Sequence, residues 1–146
     1  MDTRGRGTNN GGMTRYVIDA PAAIQLARDG VAIADGDQLV APTILRSQCL
    51  SSLYQASRRG ELSGKEAMAL LDRITSMHIR LLGDRVSRAV AWQVAERLHL
   101  DDTANAEYIA VAQLQADAFV TLDPALARQA EGIVAVAPLA ALYPAT

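Results

Sequence analysis

Short apolar runs rich in β-forming residues alternate with helical segments along nearly the whole chain, and this alternation constrains the fold most. Tyr16-Val17-Ile18 is one such run, ending at Asp19. The segment from Pro21 to Arg28 reads as a helix with proline in its first turn. Leu39-Val40-Ala41 is a second extended piece, stopped by Pro42. The segment from Thr43 to Arg59 carries Ile44, Leu45, Cys49, Leu53 and Ala56 at three-to-four spacing, and Gly60 ends it. Ser63 followed by Glu66 forms a capping box for a helix to Met77. A strand over 78–82 and an amphipathic helix over 84–98 come next. They are followed by a helix over 103–114, a strand over 118–121, a short helix led by Pro124 and a last strand over 133–136. Strands that alternate with helices and are apolar on both faces predict an α/β fold. It is a three-layer α/β/α arrangement with a central parallel sheet.

Residues 1–12 (MDTRGRGTNNGG) stand apart: polar, glycine-rich and without apolar period. They read as a disordered tail, an overcalled start or an added remnant. Residues 13–146 then form one domain of ordinary size, with no internal repeat. No apolar run reaches the roughly 18 residues of a membrane span, and no apolar leader opens the chain, so a cytoplasmic protein without membrane association is expected. A single cysteine, Cys49, excludes an intrachain disulfide. Two histidines, His78 and His99, leave little material for zinc, and His99 near a helix end reads as structural. A net charge of −2 argues against a broad basic coat for nucleic acid. With only Phe119, Trp92 and four tyrosines, no aromatic platform for stacking single-stranded bases is expected, and Trp92 reads as packing. The chain has no phosphate-binding glycine loop, no dinucleotide fingerprint and no nucleophile elbow.

In an open parallel sheet, ligands bind beyond the carboxyl ends of the strands. That rule singles out Asp19 and Asp123, which two parallel strands can bring to one rim. A pair of carboxylates there is a minimal magnesium site, because magnesium takes hard oxygen ligands and retains water. The same two aspartates also precede proline-led helices, where each is a natural N-cap. Both readings stand at this level.

Four pieces in order carry a resemblance: Tyr16-Val17-Ile18-Asp19-Ala20, the run from Ala41 to Gln48, Asn105-Ala106-Glu107-Tyr108-Ile109-Ala110, and Phe119-Val120-Thr121-Leu122-Asp123. From about Arg15 to Leu142 the chain resembles the PIN domain, and within it the VapC toxins of bacterial toxin–antitoxin pairs. The resemblance implies an endoribonuclease dependent on Mg2+ or Mn2+, a homodimer, and restraint by a VapB-like antitoxin. It places the acidic site positions at Asp19, Gln48, Asn105 and Asp123, so two expected carboxylates are amides here. An amide retains an acceptor oxygen but loses the charge that attracts a divalent cation. Asp102, three residues before Asn105, is the nearest substitute ligand on that helix face, and also a natural cap. Arg46 lies near the rim and could meet phosphate. The leading expectation is thus a VapC-like ribonuclease weakened at Gln48 and Asn105. The alternative is a catalytically inactive PIN-fold protein, by natural change or by design, that retains antitoxin binding. A generic magnesium-dependent phosphohydrolase is the third reading.

Overall fold

A computed structural model describes residues 13–144. The expectation for residues 1–12 lies outside them. Five parallel strands are connected through six helices: β1 (Thr14–Ile18), α1 (Ala20–Arg28), β2 (Asp37–Pro42), α2 (Leu45–Arg58), α3 (Gly64–Ser76), β3 (Arg80–Leu82), α4 (Arg85–Leu98), α5 (Ala104–Gln115), β4 (Ala118–Val120), α6 (Pro124–Glu131) and β5 (Val136–Ala137). A 3-10 turn over Leu139–Leu142 follows. The sheet order is β3-β2-β1-β4-β5, parallel throughout. The chain therefore winds outward from β1 in one direction, then crosses back and winds in the other. Right-handed crossovers put α1, α2 and α3 on one face and α4, α5 and α6 on the opposite face. The expected three-layer α/β/α architecture is the one observed.

The central strands are apolar on both sides because both sides are covered. Val17, Ile18, Val40, Ala41, Phe119 and Val120 are fully buried. Helix α5 lies across β1, β2 and β4. It is buried nearly all round from Ala106 to Ala112, so it shows little amphipathic periodicity. Alanines at 91 and 95 on α4, and at 106, 110 and 112 on α5, are buried and admit close helix approach. Ser63 forms the expected capping box: its Oγ accepts from Glu66 N–H at 3.0 Å while Glu66 accepts from Ser63 N–H at 2.7 Å.

Several boundaries differ from the sequence reading. Pro42 closes β2 from inside it, and α2 begins at Leu45 instead of Thr43. The last strand forms at Val136–Ala137 and not across 133–136. Ile133 and Val134 instead close the end of α6, both N–H groups donating to Ala130 O. His99 takes a left-handed conformation (φ 57°) just past α4, where its own N–H and that of Leu100 satisfy the last carbonyls. Its role there is backbone geometry. Trp92 does not pack in the core: it is 64% exposed.

Candidate functional site

The sheet order reverses between β1 and β4. At such a point the two connections leave in opposite directions and open a crevice beyond the strand ends. Asp19 is the first residue past β1, and Thr121 the first past β4. Ile18 pairs in register with Val120, so these two residues emerge side by side.

Asp19 caps α1, its Oδ1 accepting from Ala22 N–H at 3.0 Å. Its Oδ2 accepts from Thr121 Oγ at 2.5 Å. The same hydroxyl accepts from Asp123 N–H at 3.1 Å. One threonine therefore ties both aspartates into a single turn-to-turn junction. Asp123 caps α6, and its Oδ1 accepts from Ala125 N–H at 2.9 Å and Leu126 N–H at 3.3 Å. Both aspartates are thus N-caps, as one reading held. The bonds of Asp123 to α6 all fall on Oδ1, whereas both oxygens of Asp19 already accept one hydrogen bond each. Asp19 is 5% exposed. Burial pushes its carboxyl above the ordinary value, the Thr121 and Ala22 bonds pull it back, and the Asp123 charge nearby pushes it up again. Ionising Asp19 in this junction carries an electrostatic cost. The positive ends of α1 and α6 offset part of that cost.

Gln48 is half-buried on α2. Its Oε1 accepts from the Tyr108 hydroxyl at 2.5 Å. Tyr108 is 1% exposed and its ring stacks on Phe119, with centroids 6.2 Å apart. Burial raises the Tyr108 phenol well above its ordinary range, and the charges of Cys49, Asp19 and Glu107 act in the same direction. Gln48 and Tyr108 thus form a hydrogen-bonded pair bridging α2 and α5. The same burial, with Asp19, pushes the Cys49 thiol up to about 11.

Asn105 stands exposed in the first turn of α5, and no hydrogen bond among the described residues joins it to the other three positions. Asp102 accepts from Ala104 N–H at 3.0 Å, which is the local capping role. Arg46 is exposed in the first turn of α2. Arg59 is taken by Glu61 at 2.6 Å. Among the described residues no group of three or more His, Cys, Asp or Glu side chains could hold a metal ion. What the crevice offers a cation is two carboxylates and one hydroxyl, hard oxygen donors that suit a single hydrated magnesium or manganese.

The sequence reading missed Thr121 and Tyr108. Thr121 had a usable signal, a hydroxyl two residues before an N-cap aspartate at a strand end. Tyr108 had none, because its partner is sixty residues away. A cavity of about 750 Å³ lies at the opposite, amino end of β1 and β2, bordered by Met13, Ile33 and Leu39, and so away from this chemistry.

No profile of a known family matches the chain, and no curated protein matches it in sequence. Among solved structures, the crystal structure of PAE2754 from Pyrobaculum aerophilum superposes with a TM-score of 0.68 at 20% identity. The match covers 89% of this chain and 94% of that one. At that identity the likeness concerns the fold: this chain shares its overall architecture, over nearly its full length, with that archaeal protein.

Proposed function

We propose that this chain is a VapC-like toxin, an endoribonuclease dependent on Mg2+ or Mn2+ and neutralised by a VapB-like antitoxin. The observation that supports this most is the junction of Asp19, Thr121 and Asp123 at the reversal of strand order, where the fold class places ligands. Asp19 and Asp123 would hold the cation, each oriented by its helix cap, with Thr121 fixing the outer oxygen of Asp19. The cation, when bound, supplies charge neutralisation at phosphate and a more acidic water. Gln48, its acceptor oxygen engaged by Tyr108, contributes shape and no charge. The amino ends of α1 and α6 add positive potential for a phosphate. Leu50 and Tyr54 on α2 and Met68 on α3 are exposed apolar side chains and supply surface for a second subunit or the antitoxin.

The inactive reading has its own support: among the described residues two carboxylates serve the crevice, and Asn105 is exposed with no side-chain hydrogen bond. One experiment separates the two readings. Purified, antitoxin-free protein is incubated with structured RNA and manganese, beside Asp19→Asn, Asp123→Asn and Asn105→Asp. The nuclease reading expects slow cleavage by the parent, none by the first two variants, and faster cleavage by Asn105→Asp. A gain of about a hundredfold corresponds to about 2.7 kcal/mol of transition-state stabilisation. No cleavage by the parent or by Asn105→Asp supports the inactive protein. Cleavage surviving in Asp123→Asn rejects the site.

A further inference from the structure

Helix α4 carries Arg85, Arg88 and Trp92 at spacings of three and four, one stripe along its surface. All three border a cleft of about 730 Å³ whose other walls include Thr43 and Gly83, at the carboxyl ends of β2 and β3, and Glu107 on α5. The position of this cleft follows from strand register. Val17 is level with Val40, so Asp19 is level with Pro42, and Pro42 pairs with Leu82. The cleft thus opens on the same edge of the sheet as the Asp19 crevice. It begins one strand over, about 5 Å in the hydrogen-bonding direction, and reaches β3 at about 10 Å. A short oligonucleotide spans that distance.

Charge and shape narrow the occupant. Neither Arg85 nor Arg88 makes an ion pair or side-chain hydrogen bond among the described residues, so two guanidinium groups stand free on one helix face. Two acids also border the cleft. Asp84 caps α4, accepting from Ser87 N–H at 2.8 Å, and those amide bonds hold its carboxyl below the ordinary range. Glu107 is half-buried, and burial raises it with no cation offsetting the cost. Asp84 is exposed like Arg85 and Arg88, so the outer rim of the cleft carries two cations against one anion. Trp92, 64% exposed, stands next to Arg88 along the helix surface and offers an indole face to a cleft whose floor includes Pro42, Leu82, Ala91 and Val111. Tryptophan beside free arginines suits a planar base with its phosphate.

We infer that the α4 cleft is a subsite for single-stranded RNA, with a base stacked on Trp92 and the adjoining phosphate held by Arg85 and Arg88. The inference rests on the ribonuclease reading for its choice of RNA, and it extends that reading to how the strand is led to the crevice. It also predicts preference for unpaired RNA, since a base within a duplex cannot reach the indole.

The chain's single tryptophan makes the test direct, because all indole fluorescence reports this position. The full-length protein is titrated in EDTA, where no metal-dependent cleavage occurs, with a six-nucleotide single-stranded RNA and with a duplex of the same length. Saturable quenching by the single strand and not by the duplex is expected. With fluorescently labelled RNA, Trp92→Leu weakens binding about tenfold, and each of Arg85→Gln and Arg88→Gln weakens binding and lowers the salt slope by about 0.7. Circular dichroism of each variant checks the fold. No quenching, equal quenching by the duplex, or Trp92→Leu binding as the parent does overturns the subsite. A fluorescence shift with protein concentration alone also overturns it, in favour of a second copy on α4. The readout is binding without metal, so a failed cleavage assay leaves this result standing, and cleavage without quenching rejects the subsite alone.

Discussion

Replacing Thr121 with valine removes one hydroxyl and changes little else in shape. In the parent that hydroxyl donates to Asp19 Oδ2 at 2.5 Å. Asp19 is 5% exposed, so water cannot readily take the hydroxyl's place. A hydrogen bond to a charged acceptor contributes about 1.5–3 kcal/mol. The amide of Asp123, bonded to the other side of the same hydroxyl, is exposed and turns to water at little cost. The expected loss at neutral pH is therefore about 2 kcal/mol, about 4–10 °C in Tm for a domain of this size. The pH dependence has a defined sign. Burial raises the folded pKa of Asp19 above the ordinary aspartate value of 3.8, and the Thr121 bond opposes that rise. The parent therefore loses stability as pH rises from about 3.8 to the folded value, and levels off above it. Without the hydroxyl the folded value rises further. The extra loss in Thr121→Val is full above that new value and shrinks as acid protonates Asp19. Urea unfolding of both proteins, stepped from about pH 8 to about pH 4, measures the difference. A penalty below about 0.5 kcal/mol at neutral pH, or one that stays constant as pH falls, refutes the role given to this bond.

Two further outcomes follow from local structure. Gly60 ends α2 with φ +78°, so Gly60→Ala lowers stability by about 1 kcal/mol, whereas Gly36→Ala, in open space at ordinary φ, leaves it nearly unchanged; thermal melts of both decide. Cys49 is buried with its thiol pushed up to about 11, so a disulfide reagent at about pH 8 modifies it at least a hundredfold more slowly in the native protein than in denaturant, and equal rates reject its placement.

The sheet was legible because its central strands are buried on both faces and read as continuous apolar runs. Tyr16-Val17-Ile18 and Ala118-Phe119-Val120 sit where that pattern puts them. Pattern failed at the sheet's edge. Ile133-Val134-Ala135-Val136 is as apolar as a strand, yet its first two residues are needed to satisfy the end of α6, a demand that hydrophobicity does not encode. Trp92 failed in the opposite direction: its helical phase places it beside the Arg88 stripe, and hydrophobicity alone drew it inward. At the site, Asp19 and Asp123 were legible from strand ends and helix starts, which are local features. Their union through Thr121, and the bond between Gln48 and Tyr108, depend on which strands become neighbours, and that is a property of topology.

The central claim is that the crevice of Asp19 and Asp123 holds one divalent cation, and calorimetric titration with manganese tests it most directly. The account predicts one ion per chain for the parent, tighter binding for Asn105→Asp, and loss of the binding heat in both Asp19→Asn and Asp123→Asn. Binding that persists unchanged in Asp123→Asn contradicts it.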